Sequence, residues 1–439
     1  MKIQKKILFL LFIMILINFN FIDVKAASDP PSTSSEGVAL LDESGKVLYS
    51  KNGTTKYYPA STTKVLTALV VIDTVKDLNE KVTVGDKVPF VDGTKIGLKE
   101  GEMYSVKELL LGLILESGND CAEALAEHVS GSIEEFAKLM NKKAKEIGCK
   151  NSNFKNPSGL PDEEHVTSSE DLALIMSKAI QNKTFVDISR TFTYTFEPSN
   201  LDGTERIVNN HNYILFSTYP KYYYEYSVAS KKGYTIAAGF TNVISATKDG
   251  TTLVVACLKG DDISSVYSDV KALFDYGFDN YESVKIYNEG DTVGSFKVNG
   301  QEIPLLAEQD VYYTCDKSNK DSISKTIDVK KPTGYDKKSF KRGDVLSNAT
   351  VTVNGTDAQT VNVVSGKSVT YKAKSDFGGN SSDLTILFIA ILCGIVILSI
   401  IRIRKVSKRR ALRRQRLQKL KEEMDNFEFN NSNKDKIAK

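Results

Sequence analysis

Pro59-Ala60-Ser61-Thr62-Thr63-Lys64-Val65-Leu66-Thr67-Ala68 places a hydroxyl and an amine three residues apart at the head of an apolar run. A serine hydroxyl attacks a carbonyl only when a base lies beside it, and residues i and i+3 share one face of a helix. Pro59 ahead of the serine and the run Val65, Leu66, Ala68, Leu69, Val70 predict a buried helix over about 61–77. Ser61 then stands at the helix N-terminus, where free N–H groups and the helix dipole favour an oxyanion. The plain alternative is a serine that only caps a helix, since S-x-x-K recurs by chance in unrelated chains.

The ends of the chain carry a different signal. Residues 1–26 hold Lys2, Lys5 and Lys6, the apolar run Ile7–Ile17 and small residues at Ala26-Ala27-Ser28, the pattern of a secretory signal peptide. Leu384–Ile401 is an uncharged apolar run of 18 residues, long enough to cross most of a bilayer core. Eleven Lys/Arg and no acidic residue lie between Arg402 and Lys421, so the positive-inside rule puts 402–439 in the cytoplasm and the middle of the chain outside. The tail has 14 Lys/Arg against 5 Asp/Glu and residues 1–26 four Lys against one Asp. Within an overall charge of +3, residues 27–401 are therefore acidic, near −9, which argues against a nucleic-acid partner. A basic tail could serve as an RNA-binding arm, but its place beside a span points to anionic membrane lipids and topology.

Cys121, Cys149, Cys257, Cys315 and Cys393 show no C-x-x-C spacing, and His128, His165 and His211 never fall at i, i+4. Neither a disulfide framework nor a metal site follows, and no cofactor is implied. Between signal and span, a linker at 27–36 precedes a region over 37–284 whose strand pairs, Val38–Leu41 with Lys46–Ser50 and Val243–Thr247 with Thr252–Cys257, flank helical patterns near 105–116, 119–130, 133–147 and 169–181. The fold class expected is α/β, an antiparallel sheet joining both ends of the domain with a helical subregion between them. Short strands such as Ser283–Tyr287, Thr292–Val298 and Thr350–Val353 predict a small all-β domain over 285–375. A stalk at 376–383, the transmembrane helix at 384–401 and the tail at 402–439 complete the order.

Two further motifs lie inside the helical region and on a strand. Ser117-Gly118-Asn119 separates two helices and could be only a turn; Lys231-Lys232-Gly233 precedes the hairpin at Lys248-Asp-Gly250 and could be only an exposed strand. In this order with Ser61-x-x-Lys64, they match the S-x-x-K, S-x-N, K-T-G signature of penicillin-recognising acyl-serine enzymes. The chain resembles the D-alanyl-D-alanine carboxypeptidases of the low-molecular-mass penicillin-binding protein family, with their β-lactamase-like transpeptidase fold. The likeness extends to Leu110–Asp120, to Asn156-Pro-Ser-Gly-Leu-Pro161 with His165–Asp171, and to Lys231–Thr235 with Ala238-Gly239.

The resemblance implies that Ser61 is the nucleophile, Lys64 its base, and Ser117 a proton relay to the leaving amine. Asn119 would hold Lys64 and the substrate. Lys231 would supply a positive field for the substrate carboxylate and, by its proximity, help to lower the pKa of Lys64. Lys231, Lys232, Gly233, Tyr234 and Thr235 would form the substrate-binding strand, with the N–H groups of Ser61 and Tyr234 as oxyanion hole. The implied partners are peptidoglycan stem peptides ending in D-Ala-D-Ala and β-lactam antibiotics, which would acylate Ser61. His165 is assigned to a structural loop. Lys232 departs from the family's Thr or Ser: it either anchors the carboxylate as a cation or crowds the cleft. A β-lactamase is disfavoured because no E-x-x-L-N follows Asn119; a DD-endopeptidase and a non-catalytic wall-binding homologue are the remaining alternatives.

Overall fold

The computed structural model describes residues 29–371, except 202 and 204, and residues 381–434. The leader read at 1–26 and stalk residues 376–380 lie outside the described residues. The chain divides into one compact unit that ends at Val369 and a second that comprises 337–339 and the segment from Thr370 onward.

In the first unit, β1 (Gly37–Asp42) and β2 (Val47–Lys51) form a hairpin, and a 3₁₀ turn over Ala60–Thr63 runs straight into α1 (Lys64–Thr74). The short pair β3 (Lys81–Thr83) and β4 (Met103–Ser105) leads to α2 (Val106–Leu111), α3 (Asn119–Ser130), α4 (Ile133–Ile147), α5 (Ser169–Ala179) and α6 (Lys183–Arg190). A second short pair, β5 (Thr193–Thr195) and β6 (Ile207–Asn209), precedes β7 (Ser227–Thr235), β8 (Gly239–Lys248), β9 (Thr251–Gly260) and α7 (Ile263–Asn280).

The main sheet has the order β2-β1-β9-β8-β7 and is antiparallel throughout. Its pairing of β1 with β9, Val38 opposite Cys257 and Leu40 opposite Val255, joins the two ends of the domain as the sequence predicts. Both faces are covered. Ala39, Leu41, Val254, Ala256 and Leu258 pack on the helical subregion, while Val38, Leu40, Leu253, Val255 and Cys257 pack on α7. This explains why β1 and β9 read as nearly unbroken apolar runs instead of alternating ones: successive side chains point to opposite faces, and each face meets a helix layer.

α7 does not figure among the expected helices, although Val266, Val270, Leu273, Phe274 and Phe278 recur at helical spacing and are buried. Asp262 caps it by accepting from the amides of Ser264 and Ser265. Residues 27–36, read from the sequence as a linker, are tied at Ser34 and Ser35 to this helix. The buried Asp269 carboxylate accepts from both backbone amides and both hydroxyls at 2.8–3.1 Å.

β10 (Tyr281–Tyr287) follows α7 directly and opens the all-β region with β11 (Thr292–Val298), β12 (Gln301–Ala307), β13 (Val311–Asp316), β14 (Lys325–Val329), β15 (Val345–Val353) and β16 (Thr356–Ser365). β10 pairs with β13, and a five-stranded sheet runs β11-β12-β16-β15-β14 over a core of Phe296, Ile303, Leu305, Val351 and Val363. Lys46 joins this region to the β1–β2 hairpin, donating to the Thr314 carbonyl at 2.9 Å with its ammonium over the Tyr313 ring. In the second unit, α8 (Ser381–Lys434) is one continuous helix, and it holds an apolar stretch after Thr385 long enough to cross a membrane.

Asp269→Ala would strand two amides and two hydroxyls of the 34–35 segment. A buried unsatisfied donor costs about 1–3 kcal/mol, so the variant should lose roughly 3 kcal/mol of stability, and Asp269→Asn less. Thermal unfolding of the two variants beside the wild type measures this; an unchanged midpoint for Asp269→Ala would show that the segment contributes nothing.

Candidate active site

The turn that carries Ser61 is held from several sides. The Pro59 carbonyl accepts from the Thr62 hydroxyl at 2.7 Å and from the Thr241 hydroxyl of β8 at 2.9 Å. Ala60 adopts φ +49°, a left-handed conformation that costs a non-glycine residue of order 1 kcal/mol and persists only under external support. Gly159, at φ +86°, supplies part of that support: a Cβ there would lie 1.9 Å from the Ala60 carbonyl oxygen, so only glycine lets the 156–160 loop close on the turn.

Lys64 is the first residue of α1, and its Nζ lies 3.0 Å from Ser61 Oγ. The same nitrogen donates to Asn119 Oδ1 and to the Ser158 carbonyl, both at 2.7 Å. The side chain is fully buried, and burial lowers its pKa to about 7, with Cys121 and Asp120 acting in the opposite sense. The repulsion between Lys64 and Lys231 that the sequence suggests is present as well, and it acts in the same lowering sense at Lys231. A neutral amine has two N–H bonds and one lone pair. Asn119 and Ser158 take the two N–H bonds, which leaves the lone pair for the Ser61 hydroxyl proton.

Ser117 and Asn119 come from an irregular junction. Residues Gly112–Glu116 form a π turn, Ser117 follows at φ +66°, and Asn119 begins α3. Inserting one extra residue per turn is a common way to redirect side chains at functional sites. Ser117 Oγ accepts from Lys231 Nζ at 3.0 Å, across 114 residues of sequence. Asn119 is clamped at both ends: its Nδ2 donates to the Asp92 carbonyl and its amide to the Thr94 carbonyl, each at 2.7 Å. Beside it, the buried Asp120 accepts from the amides of Ile96, Gly97 and Leu98 and so fixes the loop that holds Thr94 at the cleft.

β7 is the edge strand of the main sheet and forms the facing wall. The amides of Ser230 and Lys232 point away from β8, to Ser189 Oγ and Asn212 Oδ1. Strand alternation turns the Tyr234 amide the same way, toward the cleft. Gly233 is required by proximity: a Cβ there would lie 2.7 Å from the Ser61 backbone nitrogen. Lys231 is buried, and burial, then Lys64 and Lys232, push its pKa well below the lysine range. Lys232 is half-buried with its ammonium 4.4 Å from the Tyr213 ring centre.

The resulting cleft encloses about 360 Å³ and is lined by Ser61, Ser117, Lys231, Lys232, Gly233 and Tyr234 among the residues expected from sequence. Lys64 and Asn119 sit behind Ser61, and Thr235 is drawn into the β7–β8 turn, where its hydroxyl accepts from the Ala238 amide at 3.0 Å. His165 is buried and is not among the residues that line the cleft. Its Nδ1 accepts from the Lys155 amide and its Nε2 meets Thr63 Oγ1 at 2.9 Å, so it braces the turn from below; burial lowers its pKa to about 4 and keeps it neutral.

Three groups escape the sequence reading: the Ser158 carbonyl, the Asp120 carboxylate and Asn212. A carbonyl has no residue-type signature, but Asn156-Pro-Ser-Gly159 does signal a turn. Asn156 Oδ1 accepts from the Gly159 amide at 2.8 Å and thereby aims that carbonyl.

The family model described as D-alanyl-D-alanine carboxypeptidase matches residues 23–262, and that of the penicillin-binding protein 5 C-terminal domain matches 281–371. D-alanyl-D-alanine carboxypeptidase DacF of Bacillus subtilis is 33% identical over 283 residues, covering 63% of this chain and 70% of that protein. DacA of Haemophilus influenzae is 27% identical over 367 residues, 78% of this chain and 86% of its own. Among solved structures, penicillin binding protein 5 from Haemophilus influenzae aligns with TM-score 0.61 at 27% identity, covering 78% of this chain and 99% of that one. The D-alanyl-D-alanine carboxypeptidase from Mycobacterium tuberculosis aligns with TM-score 0.53 at 31% identity, covering 58% and 95%. With the family model matched over more than half of its length, this chain belongs to the D-alanyl-D-alanine carboxypeptidase family.

Proposed function

We propose that the protein removes the terminal D-alanine from peptidoglycan stem peptides through an acyl-Ser61 intermediate, and that penicillins acylate the same serine. The observation that carries this reading is the Lys64 amine: buried, 3.0 Å from Ser61 Oγ, with both of its neutral-state N–H bonds committed elsewhere.

In the reaction, Ser61 Oγ attacks the carbonyl of the penultimate D-alanine while Lys64 takes its proton. The oxyanion forms between the Ser61 and Tyr234 amides, the first at a helix start and the second on the edge strand. The proton taken by Lys64 reaches the departing amine by way of Ser117, which is hydrogen-bonded to Lys231; water then attacks the acyl carbon, its hydroxyl leaving with the peptide carboxyl while its other proton returns to Ser61 Oγ. Asn119 holds Lys64 in place, and the Lys231–Thr235 strand receives the extended peptide along its open edge. Lys231 and Lys232 stand at the end of the cleft that would receive the substrate carboxylate. The apolar part of α8 anchors the chain in the membrane, the basic flank from Arg402 to Lys421 lies against anionic lipid on the cytoplasmic side, and the catalytic region stands outside.

Three outcomes test this. Ser61→Ala should abolish both the covalent adduct with a labelled penicillin and the release of D-alanine; an adduct that persists, mapped to another residue, would sink the assignment. The rate of acylation should climb with pH through about 7, because Lys64 acts only when it has lost its proton. Lys64→Ala should lower the rate by ~10²–10⁴-fold and remove that limb from the profile. On intact cells, added protease should digest the catalytic and β regions while a tag placed after Lys439 survives; loss of the tag would reverse the topology.

A further inference from the structure

Two lysines stand side by side on β7, and their surroundings differ. Lys231 Nζ is fully enclosed and already committed, to Ser117 Oγ at 3.0 Å and to the Lys232 carbonyl at 2.9 Å. With no carboxylate against it among the described residues and Lys64 nearby, it is poorly placed to remain a free positive charge. Lys232 alternates to the other side of the strand, keeps partial access to water and makes no ion pair among the described residues, and burial lowers its pKa also, with no neighbouring cation adding to the effect. Its ammonium rests on the face of Tyr213, where the ring quadrupole attracts a cation.

That ring is itself held. Tyr213 packs against Tyr219 at 4.4 Å and stacks on Tyr222 at 6.0 Å between ring centres, with His211 at its edge. Asn212, next to it, is buried and accepts the Lys232 amide at 2.9 Å, so strand and aromatic platform are joined on both sides of the lysine. The ring covers one face of the ammonium, and both residues line the cleft.

We propose that Tyr213 is a positioning residue for substrate recognition, its ring holding the Lys232 ammonium as the charged receptor for the substrate's terminal carboxylate while Lys231 is engaged with Ser117. This rests on the activity proposed above and deepens it: it divides between two lysines the duties of proton relay and charge recognition. It also accounts for lysine at 232, since a cation seated on an aromatic face needs no acidic partner in the resting protein.

The test is a binding measurement that does not depend on turnover. Full-length Ser61→Ala protein in detergent is titrated calorimetrically with an N-acetylated peptide ending in D-Ala-D-Ala, as the free acid and as the C-terminal amide. The amide should bind at least about 10-fold more weakly, as expected for loss of one charge-assisted contact. Adding Lys232→Met should bring the two within about twofold, whereas Lys232→Arg should keep most of the difference. Tyr213→Phe, which retains the ring, should also keep it, and Tyr213→Leu should reduce it to about threefold. If Lys232→Met preserves the preference, the receptor is elsewhere and the proposal fails. If Tyr213→Leu discriminates as well as Tyr213→Phe, the ring has no positioning role. D-alanine release by the wild type is scored separately, so an inactive enzyme that still reads the carboxylate through Lys232 would overturn the activity and leave this inference standing.

Discussion

Burying the Lys64 amine with no carboxylate in ion-pair contact among the described residues is the constraint around which the site is organised. An ammonium in that position is costly, so the neutral form becomes accessible near pH 7. A neutral amine is useful only if its lone pair faces the correct hydroxyl. That orientation is set by two acceptors from distant parts of the chain, Asn119 Oδ1 and the Ser158 carbonyl. Each acceptor has its own brace, Asp92 and Thr94 for Asn119, and the Asn156 turn for Ser158. The base is thus an effect of packing, and losing either brace would free the amine to rotate away from Ser61.

A second constraint is the closeness of three backbone segments at Ser61. The 156–160 loop and the edge of β7 both approach the nucleophile turn to distances that a Cβ would forbid, at Gly159 and Gly233. The left-handed Ala60 and Ser117 flank the same space. The unfavourable backbone conformations at Ala60 and Ser117 are sustained by the rigid elements around them: α1 and α3 on their own side, a sheet covered on both faces on the other.

The layered sheet explains how such precision is achieved. β1 and β9 are enclosed between the helical subregion and α7, so the register of β8 and β7 is passed outward from a fully packed centre to an edge that remains open. An edge strand is usually a liability; here Ser189 and Asn212 take two of its outward amides, and the stretch around Tyr234 is left for an extended ligand. The Asp269 cluster and the Lys46 contact then bind the chain's entry and the β region to this same scaffold.

Much of this was legible in the chain itself. The placement of Ser61 and Lys64 on one helix face follows from their separation, and the two-sided apolar strands from their unbroken hydrophobicity, because both are local periodicities. The apolar stretch and basic flank near the C-terminus likewise speak through composition. α7 carries the same kind of local signal, with Val266, Val270, Leu273, Phe274 and Phe278 at helical spacing. Other properties had no local trace. The meeting of Ser117 with Lys231 spans 114 residues, and the role of the Ser158 carbonyl belongs to a group every residue possesses. The charge states of three lysines in one cleft depend on burial and neighbours that exist only after folding. Lys232 shows the division most clearly: the sequence by itself marked it as a departure from a motif, while only the tertiary structure, by bringing Tyr213 beneath its ammonium, decided where that charge would stand.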